Sequence, residues 1–256
     1  MRLFCRFVLA ASAALLLGTG AASAEKLRIG TEGAYPPFNY ANSDGTLGGF
    51  DIDLGKALCA EMKAECEFSV QDFDGSIPAL QAGKFDAIIN ITITPERAEK
   101  VEFTHKYYQT PPAIAVPKDS TIAGTSPDDL KGKVLGVQSA TIHQNFAEKK
   151  YSGSTVKAYP TGDDARTDMA NGRLDAMMDG SIILTEWLKK PDGACCKLLG
   201  TLAADPAIHG PGVGIALQKG NKELADKFNA AIDALRANGK YKEINDKYFL
   251  FDVYGS

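Results

Sequence analysis

Residues 83–89 read Gly83-Lys84-Phe85-Asp86-Ala87-Ile88-Ile89, and residues 172–178 read Gly172-Arg173-Leu174-Asp175-Ala176-Met177-Met178. Position by position the phrase is glycine, a base, an apolar residue, Asp, Ala and two apolar residues. Each copy follows a stretch of helical periodicity, and its apolar tail reads as a buried strand. The glycine ends the helix in the left-handed conformation and the tail enters a sheet. A chain that makes this passage twice is expected to build two similar α/β lobes. The repeated strands then end near each other at a cleft, an arrangement suited to clamping a small molecule.

The first 24 residues read as a leader rather than as part of the fold. Arg2 and Arg6 give a positive start, residues 7–18 are nearly all apolar, and Ala22-Ser23-Ala24 supplies a small-x-small cleavage pattern before Glu25. The apolar run is short for a membrane span, so a cleaved secretory signal peptide is expected over an N-terminal anchor. Cys5 lies too early for a lipid-attachment cysteine. Cleavage leaves 232 of the 256 residues, enough for two lobes of about 100 residues each. With the leader's two arginines set aside, 26 basic residues face 32 acidic ones, a balance of −6. No basic run stands out, which argues against nucleic acid and against anionic membrane surfaces. With no long amphipathic stripe left uncommitted, a monomer is expected.

Export makes disulfides plausible. Four cysteines remain after the leader, Cys59, Cys66, Cys195 and Cys196, and they permit three pairings. Cys59 and Cys66, seven apart at the end of a helix, are the preferred pair. Cys195 and Cys196 are then a vicinal disulfide or two free thiols. Neither pair has histidine at zinc-ligand spacing, so no metal or other cofactor is expected.

Along the chain, Lys26–Gly30 reads as a strand, and Thr31–Gly45 as a loop that includes Tyr35-Pro36-Pro37-Phe38. A helix starts near Phe50 and ends near Lys63. Strand 67–70, a helix stopping at Gly83 and strand 85–89 complete a β-α-β-α-β run, which gives a parallel sheet with its ligand edge at the strands' carboxyl ends. The second half repeats the plan. A helix is expected to start at Ser126-Pro127-Asp128-Asp129, followed by strand 133–137, helix 141–150, strand 156–159, a helix from Thr161 to Gly172, and strand 174–178. Strand 215–217 and helix 224–238 close the chain. The most economical path crosses between the lobes twice, near residues 109–113 and 209–214. The lobes are then residues 25–110 with 212–256, and residues 111–211.

Polar residues collect at the expected strand ends. Arg97 follows Thr92-Ile93-Thr94-Pro95-Glu96, where a guanidinium can grip a carboxylate by two parallel bonds; the alternative pairs it with Glu99 or Glu102 on a solvated helix. Asn90 and Thr92 add polar contacts. Gln138-Ser139-Ala140-Thr141-Ile142-His143 runs from a strand into a helix, whose first amides suit an anion. Asp179 ends the second repeat, placed to take an ammonium group or simply to turn the chain with Gly180. Glu32 ends the first strand, where it can meet a distal cation, and Tyr35 and Phe73 are either walls for a ligand side chain or core. No G-x-S-x-G, H-E-x-x-H or Walker sequence is present. Residues 210–214 are glycine-rich but lead into a strand, not the helix that a phosphate cradle needs. His105, His143 and His209 are scattered, which suggests structural or surface roles.

These residues together resemble the bacterial periplasmic binding proteins for polar amino acids, especially the lysine/arginine/ornithine- and histidine-binding proteins of ABC importers. The resemblance covers residues 25–256. It is carried by Gly30-Thr31-Glu32-Gly33-Ala34-Tyr35-Pro36-Pro37-Phe38, by residues 49–54 and 72–78, by Thr92–Arg97, by Gly136–Thr141 and by Lys247-Tyr248-Phe249. It implies a two-lobed Venus-flytrap fold of type II, each lobe a mostly parallel sheet flanked by helices, joined by two hinge strands. It also implies residue roles. Arg97 clamps the ligand carboxylate, assisted by Asn90, Thr92 and the amides around Thr141 and Ile142. Asp179 takes the α-ammonium, Tyr35 and Phe73 stack on the side chain, and Glu32, with Asp51, meets a distal positive charge. The Cys59/Cys66 spacing looks like the family's first-lobe disulfide. The chain departs from the family pattern at Ile142, where a threonine is usual, at Glu32, where some relatives carry Asp, and in a shorter 90–92 stretch. The implied function is periplasmic capture of a basic L-amino acid for an ABC permease. The alternatives are an opine or another polar amino acid as ligand, and a same-fold dehydratase acting on prephenate or arogenate with Glu32 or Asp179 as its acid.

Overall fold

The computed structural model describes residues 25–255, so the leader expected over residues 1–24 lies outside the described residues. The chain opens with β1 (Lys26–Thr31) and a small three-stranded meander, β2 (Ala34–Tyr35), β3 (Asn39–Ala41) and β4 (Leu47–Gly48). Next come α1 (Phe50–Glu61), β5 (Glu65–Val70), α2 (Ser76–Gln81), β6 (Ala87–Thr92), α3 (Pro95–Lys100) and β7 (Val101–Phe103). The chain then leaves this sheet and forms β8 (Pro112–Pro117), β9 (Val134–Gln138), α4 (Ile142–Lys150), β10 (Thr155–Tyr159) and α5 (Gly162–Ala170). Continuing in the same layer are β11 (Ala176–Gly180), α6 (Ser181–Leu188), β12 (Cys196–Thr201) and a short α7 (Pro206–His209). The return passage leads to β13 (Val213–Gln218), α8 (Lys222–Ala237) and α9 (Lys240–Tyr248).

Two five-stranded sheets result, ordered β5-β1-β6-β13-β7 and β10-β9-β11-β8-β12. Each has three parallel strands followed by one antiparallel strand, β13 or β8. In both sheets that antiparallel strand is the one entered directly after a crossing. The crossings run side by side, tied by Tyr107 N to the Val213 carbonyl and Val213 N to the Tyr108 carbonyl, both at 2.8 Å. The fold is therefore two-lobed α/β with paired hinge strands. Separate apolar cores lie in the two halves, one around Phe38, Phe50, Tyr107 and Phe228, the other around Met177, Met178, Trp187 and Phe146.

The repeated phrase does the same physical work in both sheets. Gly83 and Gly172 have φ of +75° and +70°. Each donates to the helix carbonyl three residues back, and the following base donates to the carbonyl five back, closing a Schellman turn. The Asp of the phrase ties the incoming strand to its neighbour. Asp86 Oδ2 accepts from Arg28 N at 2.8 Å and Asp175 Oδ2 accepts from Val134 N at 2.7 Å. These bonds delay the strands, which begin at Ala87 and Ala176 instead of at the preceding apolar residue. Two residues beyond each tie, a glycine gives room to the apolar residue of the phrase. A Cβ on Gly136 would stand 2.3 Å from Leu174, and one on Gly30 would stand 3.2 Å from Phe85 and 2.4 Å from Ile88.

Two expectations fail locally. The stretch read as a loop from Thr31 to Gly45 contains β2 and β3. The helix expected at Ser126 does not propagate. Ser126 and Asp129 do exchange capping bonds, and Leu130 N bonds the Ser126 carbonyl at 3.3 Å. Gly132, at φ +74°, then stops the chain after one turn. Cys59 is bonded to Cys66, with Cα atoms 6.1 Å apart, and Cys195 is bonded to Cys196 as a vicinal pair.

Candidate functional site

The carboxyl ends of β1 and β6 face those of β9 and β11 across a cavity of about 200 Å³. From the first half, Glu32, Tyr35, Phe73, Asn90, Thr92 and Arg97 line it. Thr141, Ile142 and Asp179 line it from the second half, and the crossings Tyr108–Pro111 and Gly210–Val213 close its side. Nine of the ten residues singled out in the sequence meet here.

Asp51 does not. It is fully buried at the start of α1, where Oδ2 accepts from Asn39 Nδ2 at 2.8 Å and Oδ1 from the Tyr107 hydroxyl at 2.9 Å. Burial pushes its carboxyl up to about 7 against the hydrogen bonds of Asn39, Tyr107 and Asn90. Asp51 thus stands behind Asn90 as a structural acid, and its expected contact with a ligand cation is corrected.

Arg97 sits on α3, whose start is set by Pro95 and by the Thr94 hydroxyl accepting from Arg97 N at 3.2 Å. Its guanidinium donates to the Thr92 carbonyl at 3.0 Å and, across the cleft, to the Ala140 carbonyl at 2.9 Å. It also lies 5.6 Å from the centre of the Phe73 ring. Two of its five donors are thereby used. Burial lowers its pKa to about 10, so it stays cationic at neutral pH. Ala140 has φ +58°, a left-handed turn uncommon for a residue with a Cβ, and its carbonyl is the one that meets Arg97. The next residue, Thr141, caps α4 through its hydroxyl, which accepts from Gln144 N and donates to the Gln138 carbonyl. With the Thr141 hydroxyl committed and Ile142 lacking one, what remains for an anion at this helix start is backbone amide.

Asp179, 3% exposed, is the penultimate residue of β11. Oδ1 accepts from the Tyr35 hydroxyl at 2.9 Å and from Gly180 N at 2.7 Å. Oδ2 lies 3.5 Å from Arg166, which in turn is held by Asp163 at 2.6 Å. Glu32 accepts from Gln138 Nε2 at 2.5 Å, and burial raises its carboxyl to about 7. Asn90 also takes a left-handed φ, +74°, beside the point where the β6–β13 register shifts. Its Oδ1 accepts from the Tyr108 hydroxyl at 2.8 Å.

Several contributors escaped the sequence reading. Arg166 lies in a polar helix with nothing to mark it as buried, yet it is 4% exposed beneath Asp179. His143 and His209, expected at structural or surface positions, are both buried in the cavity wall with ring centroids 6.3 Å apart. Burial lowers His143 to about 4, so its imidazole is neutral beside Asp179.

A guanidinium and a helix start at one place in the cavity, and two carboxylates at others, define a clamp for a small zwitterion with a further polar or cationic group. The chain belongs to the bacterial extracellular solute-binding proteins, family 3, whose sequence pattern matches residues 27–251. It is 48% identical over 239 residues to the L-arginine-binding protein of Pseudomonas aeruginosa, covering 92% of each chain. It is 38% identical to ABC transporter arginine-binding protein 1 of Escherichia coli, covering 90% of this chain and 93% of that one. Among solved structures, a periplasmic binding protein of Salmonella typhimurium described for its high arginine specificity superposes with a TM-score of 0.81 at 36% identity. That match covers 88% of this chain and all of the other.

Proposed function

We propose that this protein is a periplasmic receptor that captures a basic L-amino acid, arginine foremost, by lobe closure and delivers it to the membrane subunits of an ABC transporter. The observation that carries this reading is the meeting of Arg97, Asp179 and Glu32 in one cavity. Arg97 and the amides of Thr141 and Ile142 take the α-carboxylate, Asp179 the α-ammonium, and Glu32 the distal cation. Tyr35 and Phe73 flank the aliphatic stem. Residues 25–110 with 212–256 move as one lobe and residues 111–211 as the other, so a ligand bonded to both favours the closed form. The arginine named for the relatives supports the choice of ligand. The leader-like residues 1–24 support export to the periplasm.

Thermal unfolding against a panel of L-amino acids and opines tests the reading. Ligand at about a thousand times its Kd adds about 4 kcal/mol, a shift of roughly 8–16 °C for a chain of this size. A large shift with arginine, lysine, ornithine or histidine supports it. Shifts confined to neutral amino acids, or to opines without a distal cation, remove the cationic pocket. One observation favours a second reading: Glu32, raised to about 7, has the acidity of a general acid. Prephenate and arogenate both left unchanged by the protein remove that dehydratase reading.

A further inference from the structure

Gln138 ends β9 and reaches Glu32 from the opposite side of the cleft, with 5% of its surface exposed. Its Nε2 donates to Glu32 Oε1 at 2.5 Å and lies 3.4 Å from the Pro160 carbonyl. The second contact fixes the orientation of the amide. A backbone carbonyl only accepts, so the nitrogen faces it and also faces Glu32. A donor held there bonds an ionised carboxylate more strongly than a neutral acid. The Gln138 backbone is held as well, by the Thr141 hydroxyl on its carbonyl at 2.7 Å.

We propose that Gln138 is a specificity-determining residue: by aiming an amide donor at Glu32, it makes the far end of the cavity select a ligand bearing a distal ammonium or guanidinium over an uncharged isostere. The proposal rests on the receptor reading and deepens it. Burial drives Glu32 toward the neutral acid, and Gln138 is the strongest influence in the other direction. Of the other charged groups that face Glu32, Asp179 and Asp163 oppose its ionisation and Arg166 favours it. The Tyr35 hydroxyl nearby is committed to Asp179. Glu32 and Gln138 come from opposite sides of the cleft and meet directly in this conformation.

The test compares the mature wild type with Gln138→Met, which keeps the length of the side chain and removes the donor. Gln138→Asn, which keeps the amide and shortens its reach, serves if the first variant does not fold. Two quantities are measured: the titration of the Glu32 carboxyl by carbon NMR without ligand, and the affinities for L-arginine and L-citrulline by calorimetry at pH 7. The Glu32 midpoint is expected to rise by about one unit. The arginine-to-citrulline affinity ratio is expected to fall about five- to tenfold. Equal weakening of both ligands with an unmoved Glu32 makes Gln138 a closure contact and overturns the proposal, as does an unchanged ratio. A wild type that binds none of the basic amino acids overturns the receptor reading and the selectivity with it. An unmoved Glu32 in a protein that binds arginine overturns only the part given to Gln138.

Discussion

The Tyr35 hydroxyl donates to Asp179 Oδ1 at 2.9 Å across the cleft, joining the meander beside the first sheet to the end of a strand in the second. The two residues are 144 apart in sequence. Asp179 is also bonded by Gly180 N and approached by Arg166, so its carboxylate is oriented by groups from both lobes. In the proposed receptor an α-ammonium meeting Asp179 would join donors already in place, and the phenol that holds the acid would also wall the ligand's stem.

Tyr35→Phe keeps the wall and removes this donor. A hydrogen bond to a charged group is worth about 1.5–3 kcal/mol, and here water and ligand compensate for part of it. Arginine affinity is expected to fall about tenfold, mainly through faster dissociation as the cleft opens more readily. The melting temperature without ligand should stay within a few degrees. Stopped-flow dissociation kinetics check this, and an unchanged off-rate removes Tyr35 from the closure step.

Arg97→Ala is expected to abolish binding of every amino acid tested, a loss of at least about a hundredfold, because the α-carboxylate would lose its charged partner. Arg97→Lys keeps the charge without the planar fork that spans the Thr92 and Ala140 carbonyls. It should recover only part of the affinity. Glu32→Gln, by contrast, should weaken arginine and lysine while sparing neutral ligands. Calorimetry over the three variants separates the roles. A Glu32 variant that loses neutral and cationic ligands equally contradicts its assignment.

Cys59 lies in the last turn of α1 and Cys66 in β5, the edge strand of the first sheet. Their bond closes a loop of seven residues' separation. Constraining a loop of that size contributes about 2–3 kcal/mol. Cys59→Ser with Cys66→Ser should lower the melting temperature by roughly 5–10 °C. Neither cysteine lines the cavity, so arginine affinity should hold within about twofold. A melting temperature that does not move refutes the stabilising role, and a large affinity loss would couple this edge to the site.

Much of this organisation is legible in the chain because it is local. Gly83 and Gly172 mark helix ends wherever they are read, and the apolar runs after them have to be buried. The ligand-side residues were legible for a related reason: strand ends of a parallel sheet collect at one edge, so Arg97, Glu32 and Asp179 could be placed without coordinates. What stayed hidden depends on pairing between distant segments. Arg166 looks solvated on a helix rich in Asp, and only Asp179 folding over it explains its burial. Asp51 carries the opposite lesson. The family resemblance implied a site residue, but Asn39 and Tyr107 satisfy it inside the core. The Ser126 turn shows a cap signal outweighed by a glycine six residues later, since capping starts a helix but does not supply its next turns.

Acid and base groups buried in and behind the site give the ligand-free protein a stability profile with two opposing slopes. Glu32 and Asp51 are raised from 4.5 and 3.8 to about 7 by burial. A raised folded pKa means the folded form holds the proton more tightly, so this contribution is complete below pH 4 and is lost as pH rises through 7. His143 is lowered from 6.5 to about 4, also by burial. Its contribution is present above pH 6.5 and is lost as pH falls through 4. Glu32→Gln removes one acid from the first group. The variant should therefore gain on wild type as pH rises from 4.5 to 7, by up to about 3 kcal/mol, and gain no more above that. Denaturant midpoints at pH 4.5, 6 and 8 measure the difference, and a gap that is constant with pH would mean that Glu32 ionises freely. Arginine should reverse the sign of the effect. A guanidinium beside Glu32 favours its ionised form, so binding at pH 6 should release protons, seen as a dependence of the calorimetric enthalpy on buffer ionisation. The Glu32→Gln protein should release correspondingly fewer, which ties the proton to that carboxyl.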